Sequence, residues 1–218
     1  MTMNPILKRI ISALTTAALV VLAIVYAPPS WIRPVFAVVI ALVFLEFCLL
    51  LRRKLGGLRL LFGAIVGLAA LCLLGALPAI AVKYGNLMML YMIAIVKISD
   101  MGGFAAGVST AKLMAGGNHK MCPTISPNKS WEGLAGSVAA SCILSCCFIP
   151  ITGFVWWKAL AFGVTAALVG TFGDLVESKF KRWVGVKDSS TVMPAGMGGL
   201  LDMFDSLLFA PAVLLPFI

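Results

Sequence analysis

The chain has 218 residues, of which 61% are hydrophobic and only 11% are charged. A soluble domain contains about 45–50% apolar residues, so this composition predicts an integral membrane protein and excludes an ordinary soluble enzyme. The net charge of +9 does not indicate a nucleic-acid partner. The lysines and arginines fall mainly between apolar runs, where such residues set membrane orientation and attract anionic lipid headgroups.

Apolar segments predict an all-α fold, a polytopic transmembrane bundle of about seven spans. The segments cover residues 10–27, 32–51, 58–82, 86–108, 133–153, 157–174 and 197–217. Most of the seventeen cations fall in cytoplasmic loops if the N-terminus, with Lys8 and Arg9, is cytoplasmic. We expect one integral membrane domain over 1–218, with N-terminal spans in 1–85 and catalytic helices and cytoplasmic loops in 86–218.

Two of these apolar segments contain isolated charges. Glu46, in the second, must face the bundle or stay protonated. With no partner nearby in the sequence, a buried, hydrogen-bonded carboxylate is favoured over a catalytic one. In the fourth, Lys97 and Asp100 are three residues apart and share a helix face. A structural ion pair and a functional one fit this spacing equally well. Close approach of a helix or ligand is allowed by three nearby glycines, Gly102, Gly103 and Gly107.

The largest loop, roughly 109–132, ends in the stretch SPNKSWEG. Prolines interrupt helix formation there, a serine can cap the helix that follows, and Glu132 lies in the first turn of that helix. Asn128 and Lys129 come just before this helix begins. Free N–H groups at a helix N-terminus attract anions, and a lysine adds to the attraction. The loop therefore predicts an anion-binding position.

Residues 173–206 hold most of the acidic residues. Asp174, Glu177 and Lys181 follow at spacings of three and four, so one helix face carries two acids and a base. Asp202 and Asp205 repeat the spacing of three in an otherwise apolar stretch. Solvated helix ends with salt bridges would explain Glu177 and Lys181, but not two aspartates with no cation nearby. Carboxylate oxygens suit Mg²⁺, so a magnesium site is favoured.

The last stretch resembles the signature of the phosphatidate cytidylyltransferases, the CDP-diacylglycerol synthases. That signature has the form S-x-x-K-R-x4-K-D-x-S, followed by a proline, a glycine-rich turn and D-x-x-D. The matching positions here are Ser178, Lys181, Arg182, Lys187, Asp188, Ser190, Pro194, Gly198, Gly199, Asp202 and Asp205. SPNKSWEG and KISDMGGF are similar to two further motifs of the family in the same order, so the likeness covers roughly 97–210.

The chain departs from the family pattern at three places. PAGMGG stands where the family commonly has Pro-x-His-Gly-Gly, so the histidine is missing. Met203 replaces the arginine that usually follows the first aspartate of D-x-x-D. Phe104 replaces a tyrosine that is usual near Asp100.

The resemblance implies a divalent-metal-dependent nucleotidyltransferase that makes CDP-diacylglycerol and pyrophosphate from CTP and phosphatidate in phospholipid synthesis. Its implied catalytic residues are Lys181, Arg182, Lys187, Asp188 and Asp202, and the spacing of the acids adds Asp174. Its implied substrate-binding residues are Asp100, Ser126, Asn128, Lys129, Glu132, Ser178, Gly198 and Gly199. The expected cofactor is Mg²⁺, alone or with a second, monovalent cation, and its expected ligands are Asp174, Glu177, Asp202 and Asp205.

The two substrates also predict where the site lies. CTP is cytosolic and phosphatidate is a membrane lipid, so we expect a multi-pass protein of the inner (plasma) membrane with its site on the cytoplasmic side. Nucleic acid is not an expected partner, and the small-residue helix faces permit a homodimer.

Two other functions remain open at this stage. An ion-coupled transporter would use Glu46, Lys97 and Asp100 as a relay near the membrane midplane. It predicts charges at the centres of several spans, whereas most charges here lie at one boundary. A homologue that binds a CDP-lipid without turnover would explain the missing histidine and arginine.

Overall fold

The computed structural model describes residues 21–114, 116–186, 189 and 199–218. The helices are α1 (Pro29–Leu51), α2 (Gly57–Cys72), α3 (Ala76–Tyr84), α4 (Asn86–Leu113), α5 (Trp131–Cys147), α6 (Ile149–Thr152), α7 (Trp156–Val184), α8 (Leu200–Phe204) and α9 (Ala210–Leu214). Short 3-10 turns cover Leu73–Gly75 and Leu215–Phe217. The strands β1 (Lys120–Cys122) and β2 (Ser126–Ser130) pair antiparallel as a hairpin between α4 and α5.

Four helical stretches of the described residues are long and apolar enough to cross a membrane. They are Ser30–Leu51, Gly57–Tyr84, Asn86–Leu113 and Trp156–Val184. Helix α5 is also apolar but has only 17 residues. The all-α membrane bundle predicted from the sequence is therefore confirmed, whereas the number of spans and the orientation of the N-terminus stay predictions. Most of the first predicted span, 10–27, lies outside the described residues.

The boundaries predicted for the last two spans are wrong. Helix α7 does not end at residue 174 but continues to Val184, so the charged residues from Asp174 to Arg182 lie on it. The described part of the segment 197–217 is not one continuous helix, because it divides into α8, a turn, α9 and a 3-10 turn. The Asp205 side chain accepts a hydrogen bond from the Ser206 N–H at 2.6 Å, and Pro211 has no N–H to continue a helix.

Helices α4 and α5 pack through small residues. A Cβ atom added to Gly102 would overlap the Cβ of Ala140, and one added to Gly136 would overlap the Cβ of Ala106. The same contact brings Gly103 against the Ser137 side chain. Gly102 and Gly103 thus allow a helix to approach, as the sequence predicted, because only residues without a side chain let two backbones come this close.

Polar contacts in the membrane-spanning part join α5 to both of its neighbours. The Tyr91 hydroxyl on α4 is 2.8 Å from the Ser145 hydroxyl, and its ring stacks on Phe162 of α7 at 5.3 Å. The Ser141 hydroxyl donates to the Gly163 carbonyl of α7 at 2.9 Å. Helices α4, α5 and α7 therefore pack together as one group, and the hairpin lies at one end of this group.

Candidate functional site

A cavity of about 250 Å³ lies between α4, α5, α7 and the hairpin. Its walls contain residues of two of the three sequence motifs, KISDMGGF and SPNKSWEG, together with Thr171 and Asp174 of α7. The lining residues are Asp100, Gly103, Phe104, Met121, Ser126, Asn128, Lys129, Ser130, Gly133, Leu134, Ser137, Thr171 and Asp174. The structure thus brings together five predicted site residues that are up to 74 positions apart, as 174 minus 100 gives.

Lys129 and Asp174 form an ion pair at the wall of this cavity. The Lys129 ammonium donates to Asp174 Oδ2, and both side chains are mostly buried. Ser130 explains the position of the lysine, because its hydroxyl caps α5 by accepting from the Gly133 N–H at 3.1 Å. Asp174 Oδ1 is buried and has no hydrogen-bond partner among the described residues. A cation and a free carboxylate oxygen thus face the same space.

Two more carboxylates lie within electrostatic range of Asp174. Its charge acts on both Asp100 and Asp205, which also affect each other. Lys97 offsets this negative charge: its ammonium lies 3.8 Å from Asp100 Oδ2 and donates to the Ser206 hydroxyl at 2.9 Å. Gly173 makes the arrangement possible, because a Cβ atom there would overlap the Asp205 carbonyl oxygen. Helix α7 therefore approaches the turn after α8 closely.

A second charged group joins α7 to α8. The Lys181 ammonium is 2.7 Å from Glu177 Oε2 and 2.9 Å from Asp202 Oδ1. The other oxygen of Asp202 accepts from the Gly199 N–H at 3.1 Å and the Ser189 N–H at 3.4 Å. Asp202 has no cation near it in the sequence, but the fold supplies one from α7. Lys181 thus connects two acids that belong to different elements.

Comparison with known proteins identifies the group to which this arrangement belongs. The model of the cytidylyltransferase family matches residues 61–218, which include every predicted site residue. The chain belongs to this family. It is similar to the phosphatidate cytidylyltransferase of Mycobacterium bovis, with 44% identity over 120 residues, or 54% of the chain and 36% of that protein.

A second relative is the phosphatidate cytidylyltransferase of Staphylococcus aureus. It is 43% identical over 122 residues, or 55% of the chain and 44% of that protein. The chain spans less than half the length of these relatives in the matched regions.

The fit of a metal to this site can be judged from its donor atoms. Within the part of the chain that the structure describes, no three acidic, histidine or cysteine side chains are grouped so that they could hold a metal ion. Mg²⁺ usually needs only one or two carboxylates, because waters and substrate phosphates complete its shell. Asp174 fits this role through its unpaired buried oxygen, and the backbone of Asp205 lies against Gly173, the residue before Asp174. Both oxygens of Asp202 already have partners.

Glu132 lies outside the cavity wall and pairs with the hairpin. Its Oε1 accepts from the His119 ring at 2.6 Å and from the His119 backbone N–H at 3.2 Å. These hydrogen bonds lower the pKa of Glu132 to about 2, and the bond with the His119 ring has the largest effect. This folded-state pKa lies below the usual pKa of a glutamate. The pair therefore stabilises the hairpin fully when the pH is above that usual pKa, and the stabilisation is lost as the pH falls towards 2.

The remaining predicted residues differ in what surrounds them. Arg182 is exposed and donates to the Val186 carbonyl at 3.2 Å, so it closes the end of α7. Ser178 is partly buried on α7, and the Gly199 N–H donates to Asp202. Three predicted residues lie outside the described residues: Lys187, Asp188 and Gly198.

Sequence reasoning did not connect Glu46 to this region. Its side chain is fully buried, and its Oε2 accepts from the Leu201 N–H of α8 at 2.8 Å. The interpretation as a buried, hydrogen-bonded carboxylate is confirmed. The only signal in the sequence was an acid alone in an apolar span, and it could not reveal a partner 155 residues away.

Proposed function

We propose that the chain catalyses the transfer of a cytidylyl group from CTP to phosphatidate, giving CDP-diacylglycerol and pyrophosphate. The cavity with Lys129, Asp174 and Asp100 at one end of a membrane bundle is the observation that carries the proposal. A cation and a free carboxylate oxygen beside the membrane suit a reaction between a nucleoside triphosphate and a lipid phosphate. Membership of the cytidylyltransferase family and the names of the two relatives support the same activity.

The chemistry requires alignment and charge neutralisation rather than a general base. A phosphate oxygen of phosphatidate attacks the α-phosphorus of CTP, and the bond from that phosphorus to the bridging oxygen breaks as pyrophosphate leaves. The attacking phosphate is already an anion, so no proton has to be removed from it. The protein must hold two repelling anions in line, and oriented cationic groups supply most of the stabilisation in such reactions.

Lys129 is the cation best placed to bind a phosphate. It lies at the cavity wall, immediately before α5, where the N–H groups of the first turn add positive potential. In the structure its ammonium is held by Asp174. An entering phosphate would accept a hydrogen bond from this ammonium, and Asp174 would keep the Lys129 side chain oriented. Lys181 and Arg182 are proposed to bind further anionic groups, together with the predicted Lys187.

Asp174 and Asp205 are proposed to hold Mg²⁺. The other two ligands predicted from the sequence, Asp202 and Glu177, both pair with Lys181 in the structure. A bound divalent ion would neutralise the triphosphate and act as a Lewis acid at the phosphoryl oxygens. Asp174 would also orient Lys129, and Lys97 would limit repulsion among the acids, since its ammonium lies beside Asp100.

We place the site at the cytoplasmic face of the inner membrane. Lys54 donates to the Trp183 carbonyl at 2.7 Å, so the turn after α1 and the end of α7 lie together. Lys129 and Lys181 belong to the same end of the bundle, while Lys158 begins α7 at the other end. Loops rich in lysine and arginine stay in the cytoplasm, where CTP is available.

Replacing Lys129 with methionine tests the proposal. Purified protein in mixed micelles of detergent and phosphatidate should incorporate label from α-labelled CTP into lipid when Mg²⁺ is present. Lys129→Met should lower the rate by about 100-fold, because a positioned charge on the transferring group is lost. Lys112→Met, at the exposed end of α4, is the matched control and should keep the wild-type rate. Wild-type protein that binds CDP-lipid but forms none would contradict the proposal.

Removal of divalent ions tests the metal separately. Incorporation of label should stop when EDTA exceeds Mg²⁺ and should return when Mg²⁺ is restored, because the two anionic substrates repel each other without it. Asp205→Asn should raise the Mg²⁺ concentration that gives half-maximal rate, whereas Lys112→Met should leave it unchanged. Full activity in EDTA would refute the metal assignment and leave the reaction itself standing.

A further inference from the structure

Glu46 is a fully buried acid that the family match does not include, since that match begins at residue 61. It lies on α1, among apolar residues. A carboxylate at such a place is costly unless it is hydrogen-bonded. The Leu201 N–H donates to it at 2.8 Å, and Leu201 directly precedes Asp202 in the chain. The acid therefore touches the backbone beside a predicted catalytic residue.

Two other contacts connect the same part of the chain to the end of α7. The Phe47 ring stacks on Phe180 at 4.8 Å. The Lys54 ammonium donates to the Trp183 carbonyl at 2.7 Å and lies 5.5 Å from the centre of the Trp183 ring. Phe180 and Trp183 flank Lys181 and Arg182 in the sequence. Helix α1 and the turn after it thus contact both elements that carry the Asp202–Lys181 pair.

Helix α8 depends on partners outside itself for its orientation. It has five residues, and an isolated helix of that length is not stable. The first N–H groups of a helix have no partner within the helix. Here the Gly199 N–H is bound by Asp202, and the Leu201 N–H is bound by Glu46. One of these two carboxylates comes from α8, and the other comes from α1.

We propose that Glu46 is a positioning residue that fixes the direction of α8 and thereby holds Asp202 against Lys181. The N-terminal spans would then contribute to the site through backbone orientation and not through contact with substrate. The expected effect of Glu46 on the reaction rate rests on the proposed function. Its expected effect on the orientation of α8 is independent of that function.

A matched pair of variants separates the hydrogen bond from the packing. Glu46→Met keeps the length of the side chain and removes the acceptor, and an apolar residue here should leave the bundle folded. The Glu46→Met variant should have a kcat about 10- to 100-fold lower, which is the usual cost of losing a residue that orients another. Its KM for CTP should change little. Glu46→Gln keeps an acceptor oxygen and should retain most of the wild-type kcat, because only the charge-assisted part of the bond is lost.

Hydrogen–deuterium exchange of the peptide containing 200–204 gives a readout that does not need activity. Exchange there should become faster in Glu46→Met and stay slow in Glu46→Gln, while melting temperatures confirm that both variants fold. Leu45→Ala is the control, because Leu45 is half exposed on the outer face of α1 and should change neither exchange nor kcat.

Each result decides the inference. Unchanged exchange in Glu46→Met would overturn it, and so would a Glu46→Gln variant as impaired as Glu46→Met. If the wild-type protein makes no CDP-lipid, the proposed function fails, and the exchange data alone then decide whether Glu46 orients α8. If the wild-type protein is active and Glu46→Met keeps its kcat, the function stands and the positioning role is overturned.

Discussion

Replacing Asp174 with asparagine is expected to lower CTP-dependent labelling of phosphatidate by about 10³-fold, the cost of losing a preorganised electrostatic group. One oxygen of this carboxylate holds Lys129, and the other is buried without a partner beside the cavity. Asparagine keeps the shape and one acceptor but removes the negative charge. Both the orientation of Lys129 and the proposed binding of Mg²⁺ should therefore fail together.

A double-mutant cycle with Lys129→Met shows whether the two side chains act as one unit. Because they contact each other, the double variant should lose much less than the product of the two single losses. Multiplicative losses would mean that the ion pair has no part in catalysis. Asp174→Asn with a rate within a few-fold of the wild type, and a normal melting temperature, would refute the assignment of the site.

Adding one methyl group at Gly136 should separate α4 from α5 and destabilise the protein. The new Cβ would overlap the Ala106 Cβ and lie 2.7 Å from the Gly102 carbonyl oxygen, and neither atom can move without its helix. Alanine in place of a helical glycine normally gains about 1 kcal/mol. Overpacking of this kind lowers the free energy of unfolding by about 3 kcal/mol. This loss exceeds the gain from alanine, so the variant should be less stable and melt at a lower temperature.

Gly75→Ala is the matched control for this substitution. Gly75 has an ordinary helical conformation, with φ of −62°, and a Cβ there would have nothing within 4 Å. Its melting temperature in detergent should therefore be unchanged or slightly higher. A Gly136→Ala variant as stable as Gly75→Ala would show that the two helices do not need their close contact. Activity should fall with stability in Gly136→Ala, because α4 and α5 form two walls of the cavity.

The sequence predicted the membrane bundle and five of the residues that line the cavity. Apolar runs longer than a bilayer is thick indicate spans wherever they occur. Asn128 and Lys129 were expected beside a helix start because a capping serine marks that start, and Ser130 does cap α5. Asp174 was expected in a site because the spacing of the acids after Gly173 suits a metal ion. Asp100 was assigned from the family resemblance, since its spacing from Lys97 fits a structural ion pair equally well.

The last predicted span shows where pattern alone misleads. Residues 197–217 are apolar enough for a span, yet they form two short helices and a turn. Hydropathy counts side chains and does not register that Asp205 binds the next backbone N–H or that Pro211 cannot donate. The assignment of Asp174, Glu177, Asp202 and Asp205 to one magnesium site also came from spacing, and it stays a prediction.

The sequence by itself determined that this chain is a helical membrane protein and which charged motifs it carries, because burial of apolar surface and the cost of intramembrane charge depend on residue type and order. Only the tertiary structure decided which charges meet. Lys129 pairs with Asp174, Lys181 joins Glu177 to Asp202, and Glu46 reaches the Leu201 N–H. Apart from Lys181 and Glu177, which are four residues apart on α7, these partners belong to different elements, so their contacts depend on how the elements pack against each other.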